Sequence, residues 1–362
     1  MIPGTIYFLT PDLPTASGGI QVIYGMVKSL RKMGFSAAVW HGNEGHSYPG
    51  LDIDADVVHG RTRTLQAGDV LVVTEVGGPK WSFLANDVPV VVLNQGHDYT
   101  FHNTTFEQDV AGDYPGWPTA VAAIATSRLI EDFLNYASPG AFPVYRIPVV
   151  ISPQFAPRRK QKVLALMPRR RSVDLTAVVQ LLRRSGAMDG WRLQMIDGMT
   201  QQQVAEAMGE AAIFLSGAEY EGFGLPQAEA IAAGCYLVGF TGAGGREFMS
   251  PDWCSPIYDE DVLAFARAAA QAMADFDRDP EAVAARVEVG RAYIRDEYNA
   301  EKVNSALLRT FGELLGPHSA ALVQAPTSVS HYQAFAPSTG VFGRSYVAAR
   351  TVAGRLRHRR RR

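Results

Sequence analysis

The feature that most constrains this chain is an alternation of two periods. Short apolar, β-branched runs are separated by stretches of helical periodicity from Thr5 to the neighbourhood of Leu315. Parallel strands need long crossovers and have both faces buried, so this alternation predicts parallel sheets covered by helices. Thr5–Leu9 reads as the first strand, followed by a loop over 10–19 and a helix from about Ile20 to Met33 that stops at Gly34. Further strands are expected at Ala37–Trp40, Val70–Val73, Val88–Leu93 and Val121–Ala125, and Ser127 is placed to cap a helix running to about Tyr136.

Pro148 and Pro153 bracket an extended segment that cannot continue a helix. The boundary therefore falls near it, with one unit over 1–152 and a second over 153–316. The second unit's strands are Lys162–Met167, Arg192–Ile196, Ala212–Leu215 and Tyr236–Phe240. Thr200 and Gln203 have capping-box spacing, and the helical pattern over 260–315 breaks near Pro280 and Asn299. Residues 317–341, rich in Pro, Ser, Ala and Thr, read as a linker or surface arm, with a basic tail completing 317–362.

Composition narrows the class. At 362 residues and 47% hydrophobic content the chain can bury two ordinary cores. Its longest apolar runs fall far short of the roughly 20 residues that cross a bilayer, and no signal-peptide pattern opens it, so a cytoplasmic protein is expected. Cys235 and Cys254 lack metal-ligand spacing and are expected to be buried thiols. From Val341 onward there are eight of the 34 basic residues, all arginine, and no carboxylate. The preceding chain thus carries 26 basic against 36 acidic residues. That acidic body has no basic-aromatic stripe, so nucleic acid is not an expected partner. The tail, including Arg355 and Arg357, has the charge to meet an anionic membrane surface and equally the composition of a solvated tail.

The segment with the most chemistry is Glu221-Gly222-Phe223-Gly224-Leu225-Pro226-Gln227-Ala228-Glu229. Two glycines allow close backbone approach, Pro226 suits a first helical turn, and the amides of Phe223, Gly224 and Leu225 would face an anion at the helix's positive end. Glu221 in the loop and Glu229 on the helix flank that anion as hydroxyl acceptors, which is the layout of a nucleotide sugar. A glycine-rich turn whose Glu229 complements the helix dipole has the same letters. Ser17-Gly18-Gly19 precedes the first helix, Met167-Pro168-Arg169-Arg170-Arg171 ends a strand, and Gln95-Gly96-His97-Asp98 follows another, where α/β sheets place ligands. Glu75 and His102 are weaker candidates, and Tyr99, Phe101, Trp81 and Trp117 offer aromatic faces that are as often core. Asp52-x-Asp54 reads as a surface turn, and no metal site is expected.

The stretch Phe214 to Gly245, FLSGAEYEGFGLPQAEAIAAGCYLVGFTGAGG, resembles the E-x7-E signature of retaining GT-B glycosyltransferases of family 4. The resemblance implies two Rossmann-like α/β lobes around a donor cleft, with the acceptor on the N-terminal lobe. It implies that Glu221 contacts the donor sugar, that Phe223, Gly224 and Leu225 hold the diphosphate, and that Glu229 holds the ribose. Gly18 and Gly19 would reach toward the phosphates, and His97 would face the reacting sugar. Arg169 and Arg171 are candidates for the cations that meet the diphosphate, although the family's Arg-x4-Lys spacing is missing here. Implied with these is hexosyl or deoxyhexosyl transfer, with retention and without a required cofactor, from a nucleotide sugar to a saccharide or lipid-linked saccharide of a bacterial surface glycan. An epimerase or glycan phosphorylase on the same fold, or a partner protein without turnover, would share much of the pattern.

Overall fold

The two expected sets of strands form two separate parallel sheets in the computed structural model of the chain. It describes residues 4–14, 16–48, 51, 53–76, 90–101, 104–107, 109–110, 112, 114–115, 117, 120–140, 142–257, 261–315 and, for the backbone, 321–324. Trp81, His102, Asp52 and the basic tail lie outside the described residues.

The first sheet contains β1 (Thr5–Leu9), β2 (Ser36–His41), β3 (Val57–His59), β5 (Val70–Thr74), β6 (Val90–Asn94), β7 (Ala120–Ala125) and β8 (Val144–Arg146). Their spatial order is β3-β2-β1-β5-β6-β7-β8, all parallel. β5 and β6 are buried along their whole length, which is why they read as continuous apolar runs rather than alternating ones. Helix α1 (Gly18–Lys32) follows β1, and α2 (Arg128–Ala137) follows β7. Ser17 and Ser127 cap them by accepting from Ile20 N and Ile130 N, each at 3.3 Å. Gly18 and Gly19 are therefore the first residues of α1, not the loop ahead of it.

The second sheet contains β9 (Gln161–Leu166), β10 (Arg192–Met195), β11 (Ala211–Glu221), β12 (Tyr236–Ala243) and β13 (Ser255–Ile257), in the order β10-β9-β11-β12-β13. Helices α3 (Ser172–Arg184), α4 (Gln201–Glu210) and α5 (Leu225–Ala232) cross between its strands. Thr200 and Gln203 close the expected capping box on α4. β11 is longer than its apolar core predicts. A register shift between Ala218 and Glu221 lets it run on, with Tyr220 left-handed at φ 49°, so Glu221 ends a strand instead of sitting in a loop.

Helices α6 (Val262–Arg278), α7 (Pro280–Glu297) and α8 (Ala300–Leu314) follow, broken where Pro280 and Asn299 predict. The apolar face of the last packs on the first unit. Val303, Ala306, Leu307 and Phe311 enter the core formed by Ile6, Phe8, Ile23, Val27 and Val72, with the Phe311 ring 6.1 Å from that of Phe8. The chain thus returns to the first sheet. Beyond it β14 (Ala321–Gln324) pairs antiparallel with β4 (Thr62–Leu65), so part of the expected arm is a strand. Cys235 and Cys254 are free and buried. No described helix is long and apolar enough to cross a membrane.

Because Phe311 is fully buried in the first core, Phe311→Ala is expected to lower the unfolding free energy by about 3–5 kcal/mol in urea titrations. A loss under about 1 kcal/mol would mean that α8 is dispensable to that core.

Candidate functional site

In an open parallel sheet ligands bind beyond the carboxyl ends of strands, where the strand order reverses. In the second sheet that point lies between β9 and β11. Arg169 and Arg170 follow the first of these strands and Glu221 ends the second. A cleft opens there, lined by Arg169, Arg170, Ser216, Glu221, Pro226 and Gln227 among others.

Three local devices aim the residues. The β11 bulge and left-handed Tyr220 turn Glu221 toward the cleft. Gly224, at φ 98°, makes the sharp entry into α5 that an L side chain resists, so the helix begins directly beside Glu221. Arg171 is also left-handed, at φ 44°, immediately before α3. It splits the basic cluster: Arg171 bonds Asp174 at 3.2 Å, approaches Glu219 at 3.7 Å and lies over the Phe240 ring, away from the cleft wall. Arg170, which sequence reasoning passed over, instead pairs with Glu221 at 3.2 Å and donates to Glu219 O at 2.9 Å. Of the three arginines, Arg169 and Arg170 line the cleft and Arg171 does not. Three consecutive arginines give no sign of which faces the ligand until the turn is known.

The two carboxylates differ in their surroundings. Burial pushes the Glu221 carboxyl up, opposed by Arg170 and Arg169. Burial alone pushes Glu229 up to about 7, and no cation or donor among the described residues offsets it. Glu229 is half-buried, and a partly desolvated carboxylate without a partner suits a site that ligand hydroxyls complete.

The first sheet supplies the opposite wall. A Cβ on Gly222 would stand 2.0 Å from the carbonyl oxygen of Gln95, and one on Gly18 would stand 2.9 Å from Leu225 Cδ1. A Cβ on Gly19 would meet the Gln95 amide oxygen at 3.1 Å. The start of α1, the Gln95 loop and the turn from Gly222 to Leu225 therefore converge. Ser127 Oγ reinforces this by donating to Gly222 O at 2.6 Å. Glu247, beyond β12, ties the same edges: its carboxylate accepts from Arg128 N at 2.7 Å, from Tyr298 OH at 2.9 Å and from the Arg146 guanidinium. In sequence the glycine-rich exit 241–247 resembles a family loop beside the donor and equally a flexible connector, so it assigns Glu247 no role.

His97 lies in a single 3-10 turn after β6, edge-on to Phe133 at 5.5 Å, and its buried Nδ1 has no partner among the described residues. Beneath that turn Glu75 is fully buried, raised to about 8 by its burial, with one oxygen accepting from Gln95 N at 2.9 Å. Phe101 is partly exposed beside Phe133, whereas Trp117 is fully enclosed in the core and unavailable to a sugar. By distance alone Asp12, His41 and His46 also group closely enough to hold a metal ion. Yet His41 already uses Nδ1 on Asp12 and Nε2 on Tyr24, while the second Asp12 oxygen accepts from Asn43 N. Asp12 and His41 are thus engaged within the protein, whereas the buried Nε2 of His46 has no partner among the described residues.

No protein-family model matches the chain. It is 24% identical over 334 residues to an alpha-1,6-glucosyltransferase of Actinobacillus pleuropneumoniae, covering 85% of this chain and 94% of that one. Among solved structures it is similar to TarM of S. aureus (TM-score 0.65, 10% identity, 85% of this chain and 100% of that one). It is also similar to the pneumococcal O-GlcNAc transferase GtfA, solved with UDP and GlcNAc (TM-score 0.63, 11% identity, 86% and 99%). Sucrose-phosphate synthase from Thermosynechococcus elongatus gives a TM-score of 0.62 at 12% identity, over 86% and 99%. The shared architecture is the GT-B fold, two Rossmann-like units facing one another.

The Glu229 environment sets a pH dependence. Its proton leaves near 4.5 in the unfolded chain and near 7 in the folded one, so the unliganded protein loses stability as pH rises between these values. Glu229→Gln removes that pH dependence. Relative to wild type, the variant is expected to gain thermal stability progressively from about pH 5 to about pH 8 in scanning calorimetry. Parallel profiles would show that the carboxyl is not desolvated.

Proposed function

Taking the fold of GT-B glycosyltransferases as premise, we propose that this chain transfers a hexosyl or deoxyhexosyl group from a nucleotide sugar to a saccharide or lipid-linked saccharide, with retention of configuration. The observation that carries the reading is the convergence of the start of α5 and the Arg170–Glu221 pair in one cleft, with Gly18, Gly19 and Gln95 packed against the adjoining turn and the half-buried Glu229 farther along α5.

In this reading Glu229 accepts hydrogen bonds from the ribose hydroxyls, and the amides of Phe223, Gly224 and Leu225 meet the diphosphate at the positive end of α5. Arg169 and Arg170 stabilise the negative charge that grows on the departing diphosphate as the bond from the anomeric carbon to phosphate oxygen breaks. Glu221, held by Arg170, accepts from donor-sugar hydroxyls. The acceptor's hydroxyl attacks from the same face and passes its proton to the leaving phosphate oxygen. His97, with its open Nδ1, orients sugar hydroxyls from the first sheet's side. The GtfA structure contains UDP and GlcNAc, and the Anabaena HepE structure contains UDP and glucose, which supports testing uridine nucleotides first. Synthesis of a bacterial surface glycan at the inner face of a membrane, with the basic tail against anionic lipid, is the setting we infer.

The reading predicts that a thermal-shift screen finds a stabilising nucleoside diphosphate and that mass spectrometry detects transfer from its sugar to a saccharide acceptor. Stabilisation by no nucleotide would sink it. Glu229→Ala is expected to weaken binding of the free nucleotide by about tenfold or more, and Glu221→Ala by much less, since only ribose belongs to the nucleotide alone. Equal losses in calorimetric titration would contradict these assignments.

A further inference from the structure

Gln227 occupies the third position of α5 and lines the cleft beside Glu221 and Arg170, with only 2% of its surface exposed. Side-chain amides so enclosed are normally hydrogen bonded. This one is not: its Nε2 is buried with no acceptor, and no described group bonds its oxygen. An ordinary structural role for glutamine at this helix position is available for comparison in the same chain. Gln203 sits third in α4 and reaches back to accept from Thr200 N at 2.9 Å, closing a capping box. Gln227 makes no such bond, although a Cβ on its N-cap residue, Gly224, would lie 2.8 Å from the Gln227 oxygen.

The local sequence supplies a reason for a free amide there. The second residue of α5 is Pro226, which has no N–H, so the helix start offers one backbone donor fewer than usual to an anion in front of it. A side-chain N–H from the next residue can make up that loss. The same wall carries the Arg169 and Arg170 guanidiniums, which favour an anion over a neutral hydroxyl as the acceptor.

We propose that Gln227 is a ligand-binding residue whose side-chain amide donates to the diphosphate of the bound nucleotide, in place of the N–H that Pro226 lacks. This rests on the donor-site reading above and adds a contact to it. It also explains why an unsatisfied amide persists in the unliganded protein, because the ligand completes it.

The test uses the full chain and calorimetric titration with UDP, GDP, ADP and dTDP, comparing wild type with Gln227→Met and Gln227→Glu. Methionine keeps the length and removes the donor. We expect it to weaken the nucleoside diphosphate that wild type binds by about 5- to 30-fold, and its sugar nucleotide equally. The melting temperature without ligand should stay level or rise, since a buried N–H without an acceptor has been removed. Gln227→Glu should bind more weakly still, through repulsion between its carboxylate and the diphosphate. Wild-type affinity in a folded Gln227→Met protein would overturn the proposal, as would a lowered melting temperature with affinity unchanged. Binding by Gln227→Glu equal to wild type would point to a hydroxyl and overturn the phosphate assignment. If wild type binds none of the four nucleotides, the donor site itself falls and this contact with it; binding that is indifferent to Gln227 removes the contact alone.

Discussion

The site depends on the absence of a side chain at residue 222. The backbone there lies so close to the Gln95 carbonyl that a Cβ would stand 2.0 Å from it, a distance no folded structure tolerates. Through this contact the carboxyl edges of two parallel sheets meet without intervening side chains. The Ser127 hydroxyl bonded to Gly222 O and the Glu247 carboxylate bonded to Arg128, Arg146 and Tyr298 hold the same junction on its flank. Every group assigned to the cleft is positioned relative to it. Glu221 precedes Gly222, α5 starts three residues later, and Gly18 and Gly19 close on Leu225 and Gln95.

Two kinds of polar group arise from that geometry. Some are satisfied within the protein, as in the Asp12–His41–Tyr24 network, where each nitrogen of the imidazole has a partner. Others are buried and incomplete: the Gln227 amide nitrogen and the His97 Nδ1, with the half-buried Glu229 carboxyl nearby on α5 and its proton held up to about 7. Burying a polar group without a partner costs about 1–3 kcal/mol. The Gln227 amide lies in the cleft beside the Arg169 and Arg170 cations, which argues that it is fitted to something other than the protein.

Much of this was legible in the sequence because local periodicity reports burial. β5 and β6 announce themselves as unbroken apolar runs, and Ser127, Thr200, Pro280 and Asn299 mark helix ends by their own chemistry. What stayed hidden was set by tertiary structure. The apolar face of α8 is visible in its spacing, but not the fact that it crosses to the first sheet. β3, β4 and β8 are too short, and too little buried, to stand out from loops. Among Arg169, Arg170 and Arg171 the left-handed turn at Arg171 decides which guanidiniums reach the cleft, and β11 runs on to Glu221 only because a register shift accommodates the extra residues. Gln227 carries no motif signal at all; its interest lies in a hydrogen bond that is not made.

The central claim is that a nucleotide occupies the junction between the two sheet edges, and hydrogen-exchange mass spectrometry at nucleotide saturation tests it most directly. The account predicts slowed exchange in peptides covering 221–229 and 17–20 together, from walls contributed by different sheets, with the solvent-facing part of α7 unchanged. Saturating binding that leaves 221–229 as exchangeable as in the free protein would contradict it.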